Sequence, residues 1–292
     1  MALVVIRPAV IMLAIGSFLL LYAPILVRLG RDWAHDDNYS HGFLIIPIAL
    51  YFVWERRERL AQVIPSPSLY GLPIVALGLL MLLAGLLGAE LFLPRMSLLV
   101  VLTGTVLFLF GWQVCRVLAL PLAFLVLMIP IPALIFNQIA FPLQLLASRV
   151  GETVLATVGI PVLREGNVIV LAHTTLEVAE ACSGIRSLIS LLTLGIVYGY
   201  FVDPRGGVRA AIALSTIPIA ILANGGRVAG TGVAAHYYGV AAAQGFFHTF
   251  SGWLVFAVAF VMLFAVAHLL IKVLPGQERP GGVPAVAAQR AV

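Results

Sequence analysis

Cys182, Arg227 and His248 are three residues whose types and positions suit thiol chemistry. Cys182 begins one hydrophobic segment, Arg227 follows the end of the next, and His248 begins the one after that. A thiolate nucleophile needs a proton acceptor within hydrogen-bond reach, which a histidine can supply. It also needs a positive group to hold the charge of a tetrahedral intermediate, and a guanidinium stays charged without any proton transfer. The three residues therefore form a candidate catalytic trio.

Each member of this trio also has a purely structural interpretation. Buried cysteines are most often small packing residues, and an arginine at a membrane interface often anchors a helix end. His236 competes with His248, because both are expected on the same side of the membrane. The position of His248 at the start of a hydrophobic segment favours it over His236.

Two further residues are expected to support the trio. Arg186 follows Cys182 by four residues and so shares its helix face. It either lowers the pKa of the thiol or extends towards the interface. Asn224 lies beside Arg227 in the sequence Asn-Gly-Gly-Arg, which predicts a bend at the end of a hydrophobic segment.

The composition identifies a membrane protein with several spans. Hydrophobic residues make up 62% of the 292 residues, charged residues only 10%, and the mean hydropathy is +1.10. Several apolar runs reach the roughly 18 residues expected of a bilayer span. The net charge of +5 indicates topology rather than nucleic-acid binding, because no basic cluster interleaved with aromatics is present.

The predicted fold class is an all-α polytopic membrane protein with about eight transmembrane helices. A helix lying in the interface is predicted over Asn137–Gly159. A small β-hairpin is predicted over Pro161–Ala179, with its turn at Arg164–Asn167. The eight spans are Pro8–Val27, Gly42–Trp54, Gly71–Ala89, Met96–Val114, Val117–Phe136, Cys182–Phe201, Val208–Ala223 and His248–Ile271. The fifth is interrupted by Pro121, Pro130 and Pro132.

The basic residues predict the orientation of these spans. With both termini in the cytoplasm, the cytoplasmic segments hold more Arg and Lys than the outer ones. The candidate trio, the hairpin and the interfacial helix then lie on the outer face, and Cys115 lies on the opposite face from Cys182, so no disulfide is expected. We predict one transmembrane domain over 1–274 and a disordered cytoplasmic tail over 275–292, which is rich in Pro, Gly and Ala.

A polar stretch before the second span was considered as a metal site. The sequence DDNYSHG, Asp36–Gly42, offers carboxylates and an imidazole, but their spacing matches no common metal site. We therefore expect no metal and no cofactor.

Four stretches together resemble the exosortase family of bacterial membrane proteins, which is related to archaeosortases. They are NYSHGFLIIPIALYFVW, REGNVIVLAHTTLEVAEACSGIRSL, ANGGRV and GFFHTFSGW, and they extend from Asn38 to Trp253. The family's catalytic Cys, Arg and His match Cys182, Arg227 and His248. The resemblance implies a cysteine protease or transpeptidase of the inner membrane, linked to exopolysaccharide and biofilm production, with its site facing the periplasm. The implied partners are membrane-anchored proteins with a C-terminal Pro-Glu-Pro motif, a transmembrane helix and a basic tail, together with membrane lipids and no nucleic acid.

Three other functions compete with this one. A transporter of polysaccharide or lipid precursors would place ionisable residues deep within its spans, whereas nearly all of them here lie at span ends. A non-catalytic scaffold in exopolysaccharide export predicts tolerance of substitutions throughout the trio. A membrane glycosyl- or acyltransferase would usually carry a carboxylate or His-Asp constellation, and the outer carboxylates form no clear pair.

Overall fold

The computed structural model describes residues 7–36, 38–172, 174–178, 185–239 and 246–274, without the side chains of residues 185 and 246–251. The helices are α1 Pro8–His35, α2 Gly42–Glu55, α3 Arg57–Gln62, α4 Gly71–Leu87, α5 Phe92–Val117, α6 Ala119–Phe124, α7 Ala133–Thr157, α8 Ile185–Val202, α9 Gly206–Tyr238 and α10 Phe246–Val273. A 3₁₀ turn, Leu125–Met128, follows α6. The strands are β1 Val162–Glu165, β2 Val168–Leu171 and β3 Thr174–Glu177.

The described helices confirm an all-α polytopic membrane protein. Five of them are long and apolar enough to cross a membrane, namely α1, α5, α7, α9 and the 252–273 part of α10. The apolar helical segments α2, α4, α6 with its 3₁₀ turn, and α8 are shorter. The side of the membrane on which each terminus lies stays a prediction, and so does the interfacial placement of α7.

The first helix is longer than the sequence pattern predicts. We expected span one to end at Val27 and a polar loop to follow, but α1 continues to His35. Leu29 and Trp33 extend the buried face that Tyr22 and Ile25 begin, at helical spacing. The polar residues between them occupy the remaining faces of the helix, so their presence does not end it.

The fifth predicted span, Val117–Phe136 with interruptions at Pro121, Pro130 and Pro132, is broken at Pro130 and Pro132 but not at Pro121, which lies inside α6. The chain forms α6 and the 3₁₀ turn, leaves helical geometry at Ile129, and becomes helical again at Ala133. Pro130 and Pro132 explain the break, because each lacks a backbone N–H and disfavours helical geometry in the residue before it.

Side chains from the α1–α2 corner bind the carbonyls at this break. Non-helical backbone at membrane depth is tolerated only where protein groups or a water-filled cavity satisfy it. The stretch DDNYSHG and the end of α1 therefore supply hydrogen-bond donors to the broken span. The three bonds run from Trp33 Nε1 to Met128 O (2.9 Å), from His41 Nε2 to Leu127 O (3.1 Å) and from Tyr39 Oη to Ile131 O (3.3 Å).

The chain divides into two compact units, Met1–Pro142 and Leu143–Val292, and α7 passes from the first into the second. In the first unit, Arg95 of α5 is buried and forms an ion pair with Asp32 of α1. The same two helices are joined by a hydrogen bond between Tyr22 and Ser97 (3.0 Å). Residues 275–292 lie outside the described ranges, so the predicted domain and tail boundary stays a prediction.

The second unit contains α8, α9 and α10, which share one hydrophobic core. Small residues let the helices approach closely, as is usual in membrane bundles. A Cβ built on Gly195 of α8 would lie 2.6 Å from Cγ2 of Thr216 on α9. The buried core residues are Leu191, Val208, Ile212, Ile219, Ala220, Ala223, Ala259, Leu263 and Ala267.

The predicted hairpin is confirmed, and the structure adds a third strand. β1 and β2 are joined by the two-residue turn at Gly166 and Asn167, and β3 pairs antiparallel with β2. One face of the sheet packs against the later part of α7 and of α9, through Ile169 and Leu171. Arg164 of β1 also forms an ion pair with Glu152 of α7 (2.9 Å). The sheet is thus fixed to α7 and to the part of α9 that follows Arg227.

A cluster of charged groups holds the opposite ends of the three helices. Arg205, in the loop between α8 and α9, binds Asp203 (2.6 Å) and donates to the carbonyls of Ile271 and Leu274. Arg209 donates to the carbonyls of Asp203 (2.6 Å) and Tyr200 (2.9 Å). These guanidinium groups satisfy helix-terminal carbonyls that have no intrahelical partner.

We expect Asp203→Asn to destabilise the protein in a pH-dependent way. Hydrogen bonds from Arg205 hold the pKa of the Asp203 carboxyl below its usual value. The carboxylate therefore stabilises the fold above the unfolded pKa of about 3.9, and this stabilisation is lost as the pH falls through the lower folded pKa. At pH 7 the midpoint of thermal unfolding in detergent should fall by on the order of 5 °C.

The control for this experiment is Glu58→Gln. Glu58 is 81% exposed and lies 3.9 Å from Arg57, so its loss should shift the midpoint by less than about 1 °C. Wild type and Asp203→Asn should converge below pH 4. A difference of unchanged size across the acid range would contradict the ion-pair account.

Candidate functional site

Arg227 lies within α9 and not after its end, which corrects the sequence-based boundary. We predicted that span seven ends at Ala223 and that Asn-Gly-Gly-Arg forms a bend. The helix instead continues without interruption to Tyr238. The glycines do not break α9. At least one of them, Gly225, instead allows another helix to pack closely.

Close packing of α7 against α9 explains this use of glycine. A Cβ built on Gly225 would lie 2.4 Å from Cγ1 of Val150, and one on Gly232 would lie 2.7 Å from Cδ1 of Leu155. Residues 150 and 155 thus meet residues 225 and 232 in the same order, so the two helices run in parallel here. Any side chain larger than hydrogen at these positions would separate the helices.

The guanidinium of Arg227 lies against the first turns of α10. A Cβ built on Gly252 would lie 3.8 Å from Nη2 and 4.0 Å from Cζ of Arg227. His248 precedes Gly252 by four residues within the same helix, and residues four apart share a helix face. The structure therefore places Arg227 beside α10 about one turn after His248, whose side chain lies outside the described set, so the meeting of Arg227 with His248 stays a prediction.

The start of α8 lies at the same end of the bundle as Arg227. α8 and α9 run antiparallel, since a Cβ on Gly199 would lie 3.4 Å from Cα of Arg209, and one on Gly195 would lie 3.6 Å from Cα of Ala213. Continued along both helices, this register sets the first residue of α8 level with position 223. That position is about one turn before Arg227.

Cys182 lies outside the described residues, so its position relative to the other two members of the trio stays a prediction. In the sequence it precedes the first residue of α8 by three positions. Arg186 is the second residue of α8 and is exposed, and Asn224 is buried in α9 at 4% exposure. Asn224 and Arg227 are three residues apart and so share a face of α9.

His236, the rival of His248, lies in the last turn of α9. Its ring packs edge-on against Tyr237 with a centroid distance of 4.9 Å. Arg227 and His236 are nine residues apart on one helix, which is a rise of about 13 Å. This separation favours His248 as the histidine that works with Arg227.

Two buried polar residues of α7 belong to the same unit. The sequence pattern counted Gln144 among the polar residues of an interfacial helix and assigned Ser148 no role. Gln144 and Ser148 are buried, and Ser148 Oγ donates to the Gln144 carbonyl (2.6 Å) and lies 3.3 Å from the Gly166 carbonyl. Ser148 thus connects α7 with the turn between β1 and β2. A single serine on an apolar helix carries no signal in the sequence that would reveal this contact.

The histidine of DDNYSHG has a structural role in the first unit. His41 donates from Nε2 to a backbone carbonyl, and burial lowers its pKa, because the charged imidazolium would lose its hydration. Among the residues that the structure describes, no group of three or more His, Cys, Asp or Glu is arranged to hold a metal ion.

Comparison with protein families identifies the chain. The family described as transmembrane exosortase matches residues 33–265. The chain belongs to the exosortase family. The comparisons with curated proteins and with solved structures found no match.

The exosortase match includes the sheet, the later part of α7 and the segments that carry all three trio residues. It confirms the resemblance that the four sequence stretches indicated. The geometry that sequence reasoning missed is the approach of Arg227 to Gly252. The position of Gly252 one turn after His248, in GFFHTFSGW, was the available signal.

Substitution of two adjacent glycines should have opposite effects. Gly225→Ala should destabilise the protein by about 1–3 kcal/mol, because its Cβ would overlap Val150. Gly226→Ala meets no atom within 4 Å and should stabilise α9 by up to about 1 kcal/mol, because alanine is the better helix former. Thermal unfolding in detergent, followed by tryptophan fluorescence, measures both. Equal effects of the two substitutions would contradict the close packing of α7 on α9.

Proposed function

We propose that this exosortase is a membrane-embedded cysteine peptidase or transpeptidase that cleaves proteins at a C-terminal sorting signal. The observation that supports it best is the approach of the Arg227 guanidinium to Gly252 of α10, four residues after His248. On a helix, residues four apart share a face, so this approach is consistent with a site that uses both Arg227 and His248.

The proposed reaction begins with the thiolate of Cys182. Its sulfur attacks the carbonyl carbon of the scissile peptide bond, and the electron pair of the C=O bond moves to the oxygen. Arg227 stabilises this oxyanion, an effect that is large where water is excluded. The intermediate then collapses, the C–N bond breaks, and His248 donates a proton to the departing amine.

The second half of the reaction releases the product. The acyl group is now held as a thioester on Cys182. Water or the amine of an acceptor attacks the thioester carbonyl, His248 takes the proton of the attacking group, and the thiolate leaves. Attack by water gives hydrolysis, and attack by an amine gives transfer.

The proposed substrates are proteins anchored in the same membrane. Each carries a C-terminal signal with a Pro-Glu-Pro motif, a transmembrane helix and a basic cytoplasmic tail. The trio would face the periplasm of the bacterial inner membrane, where the motif emerges from the bilayer. The products would serve exopolysaccharide and biofilm production. Support for this class of substrate comes from the family to which the chain belongs.

Loss of the thiol should abolish processing of such a substrate. A reporter with the tripartite signal is co-expressed with wild type or with Cys182→Ala, and its cleavage is followed by a mobility shift. We expect cleavage with wild type only. Cleavage that persists without the thiol would sink the proposal and favour a scaffold or a transporter in exopolysaccharide export.

The same assay tests Arg227 and distinguishes between the two candidate histidines, His248 and His236. Arg227→Lys keeps the charge but loses the planar guanidinium, and should reduce the processing rate by roughly 10²-fold or more. His248→Ala should reduce it similarly, by roughly 10²-fold, while His236→Ala should process the reporter at close to the wild-type rate. A loss with His236→Ala and retention with His248→Ala would reassign the acid and base to α9.

A further inference from the structure

Of the two edges of the sheet, the edge formed by β3 is the nearer in sequence to the proposed nucleophile. β3 pairs with β2 on one side only in the described chain, which makes it an edge strand. Cys182 follows the last residue of β3, Glu177, by five positions in the sequence. Five residues of chain span at most about 18 Å. The thiol is therefore within this length of chain from the edge of β3.

The register determines which backbone groups of β3 face the open edge. The N–H of Val178 donates to the carbonyl of Asn167 (2.9 Å) across the β2–β3 pair. Opposite residues in an antiparallel pair alternate between hydrogen-bonded and non-hydrogen-bonded positions. Thr175 and Glu177 therefore occupy the non-hydrogen-bonded positions, and their N–H and C=O groups face away from β2.

The position of the sheet leaves this edge and one face exposed. Leu176 and Val178 face α9, in a core that contains Val228 and Ala235. Thr175 and Glu177 are exposed, on the opposite face. One face of the sheet thus packs on α9, which holds the edge of β3 in a fixed position.

We propose that the open edge of β3 binds the Pro-Glu-Pro segment of the substrate as an added strand. This rests on the proposed function, since it assumes a peptide substrate of that class. Strand addition to a sheet edge is a common mode of peptide recognition, in which backbone hydrogen bonds supply the affinity.

The spacing of the prolines suits this mode. In an extended strand the N–H and C=O of one residue face the same side, and those of the next residue face the other. Prolines separated by one residue therefore both direct their missing N–H away from the sheet, where it is not needed. The glutamate between them directs its N–H and C=O to the edge of β3.

Charge selects the register of the added strand. Side chains of directly opposite residues lie on the same face and close together, and like charges there are unfavourable. The substrate glutamate is therefore placed opposite Thr175 and not opposite Glu177. Each proline then lies opposite a residue of β3 whose own hydrogen bonds are made to β2.

The test compares Thr175→Pro with Thr175→Ala in the reporter-processing assay. Both lose the threonine hydroxyl, but only proline removes the N–H that faces the edge, and an edge strand tolerates proline at such a position. We expect Thr175→Pro to process the reporter about tenfold or more slowly than Thr175→Ala, since one lost hydrogen bond of about 1.4 kcal/mol is a factor of ten. Equal rates for the two variants would overturn the proposal.

Val162→Pro is the matched control. Its N–H faces the open side of β1, at the far edge of the sheet, because Glu165 and Val168 flank the two-residue turn as a hydrogen-bonded pair. Processing by this variant should remain at the wild-type level. A loss as large as that of Thr175→Pro would show that any proline in the sheet is harmful, and would overturn the assignment to β3.

A second arm changes only the substrate and leaves the enzyme intact. Reporters carry Pro-Pro-Pro or Pro-Ala-Pro in place of Pro-Glu-Pro. Both lack the carboxylate, but only the first lacks the middle N–H, so its cleavage should be about tenfold slower than that of Pro-Ala-Pro. Equal cleavage of the two would overturn the proposal even where Thr175→Pro fails to fold. If wild type cleaves no reporter at all, the proposed function itself has failed.

Discussion

The close approach of α9 to its neighbours determines where the arginine of the candidate site lies. Gly225 lets α7 pack directly on α9, and Arg227 of α9 extends to Gly252 of α10. Lipid tails are as apolar as the side chains that they would replace, so helices in membranes associate through close packing and hydrogen bonds. Close packing of α9 on its neighbours therefore fixes the helix that carries the charged group.

In the first unit the related requirement is that backbone N–H and C=O groups within the membrane must form hydrogen bonds. Its broken span exposes carbonyls at Leu127, Met128 and Ile131, and side chains from the α1–α2 corner bind all three. His41 thereby serves as a hydrogen-bond donor within the fold. A polar motif beside a membrane span can thus have a structural cause that its residue types do not reveal.

The second unit has one end held by charged groups and an opposite end that carries Arg227 and the sheet. Asp203 and Arg205 hold the short connection between α8 and α9 and bind the end of α10. At the other end, the sheet packs on α7 and α9 and presents its edge strand. Helices that are held at one end in this way keep the positions of the residues at their other end, where Arg227 and the sheet lie.

The sequence by itself determined the fold class, most helix bounds, the hairpin turn at Gly166 and the family. Those properties depend on hydropathy, turn chemistry and local motifs, which are local in the chain. It predicted the interruption at Pro130, but not the third strand or the continuation of α9 through Gly225. A glycine pair in a sequence is compatible with a bend or with close packing, and only the partner helix decides between them. The approach of Arg227 to Gly252 of α10 was likewise decided by tertiary structure, because it depends on the register of two helices and not on either sequence alone.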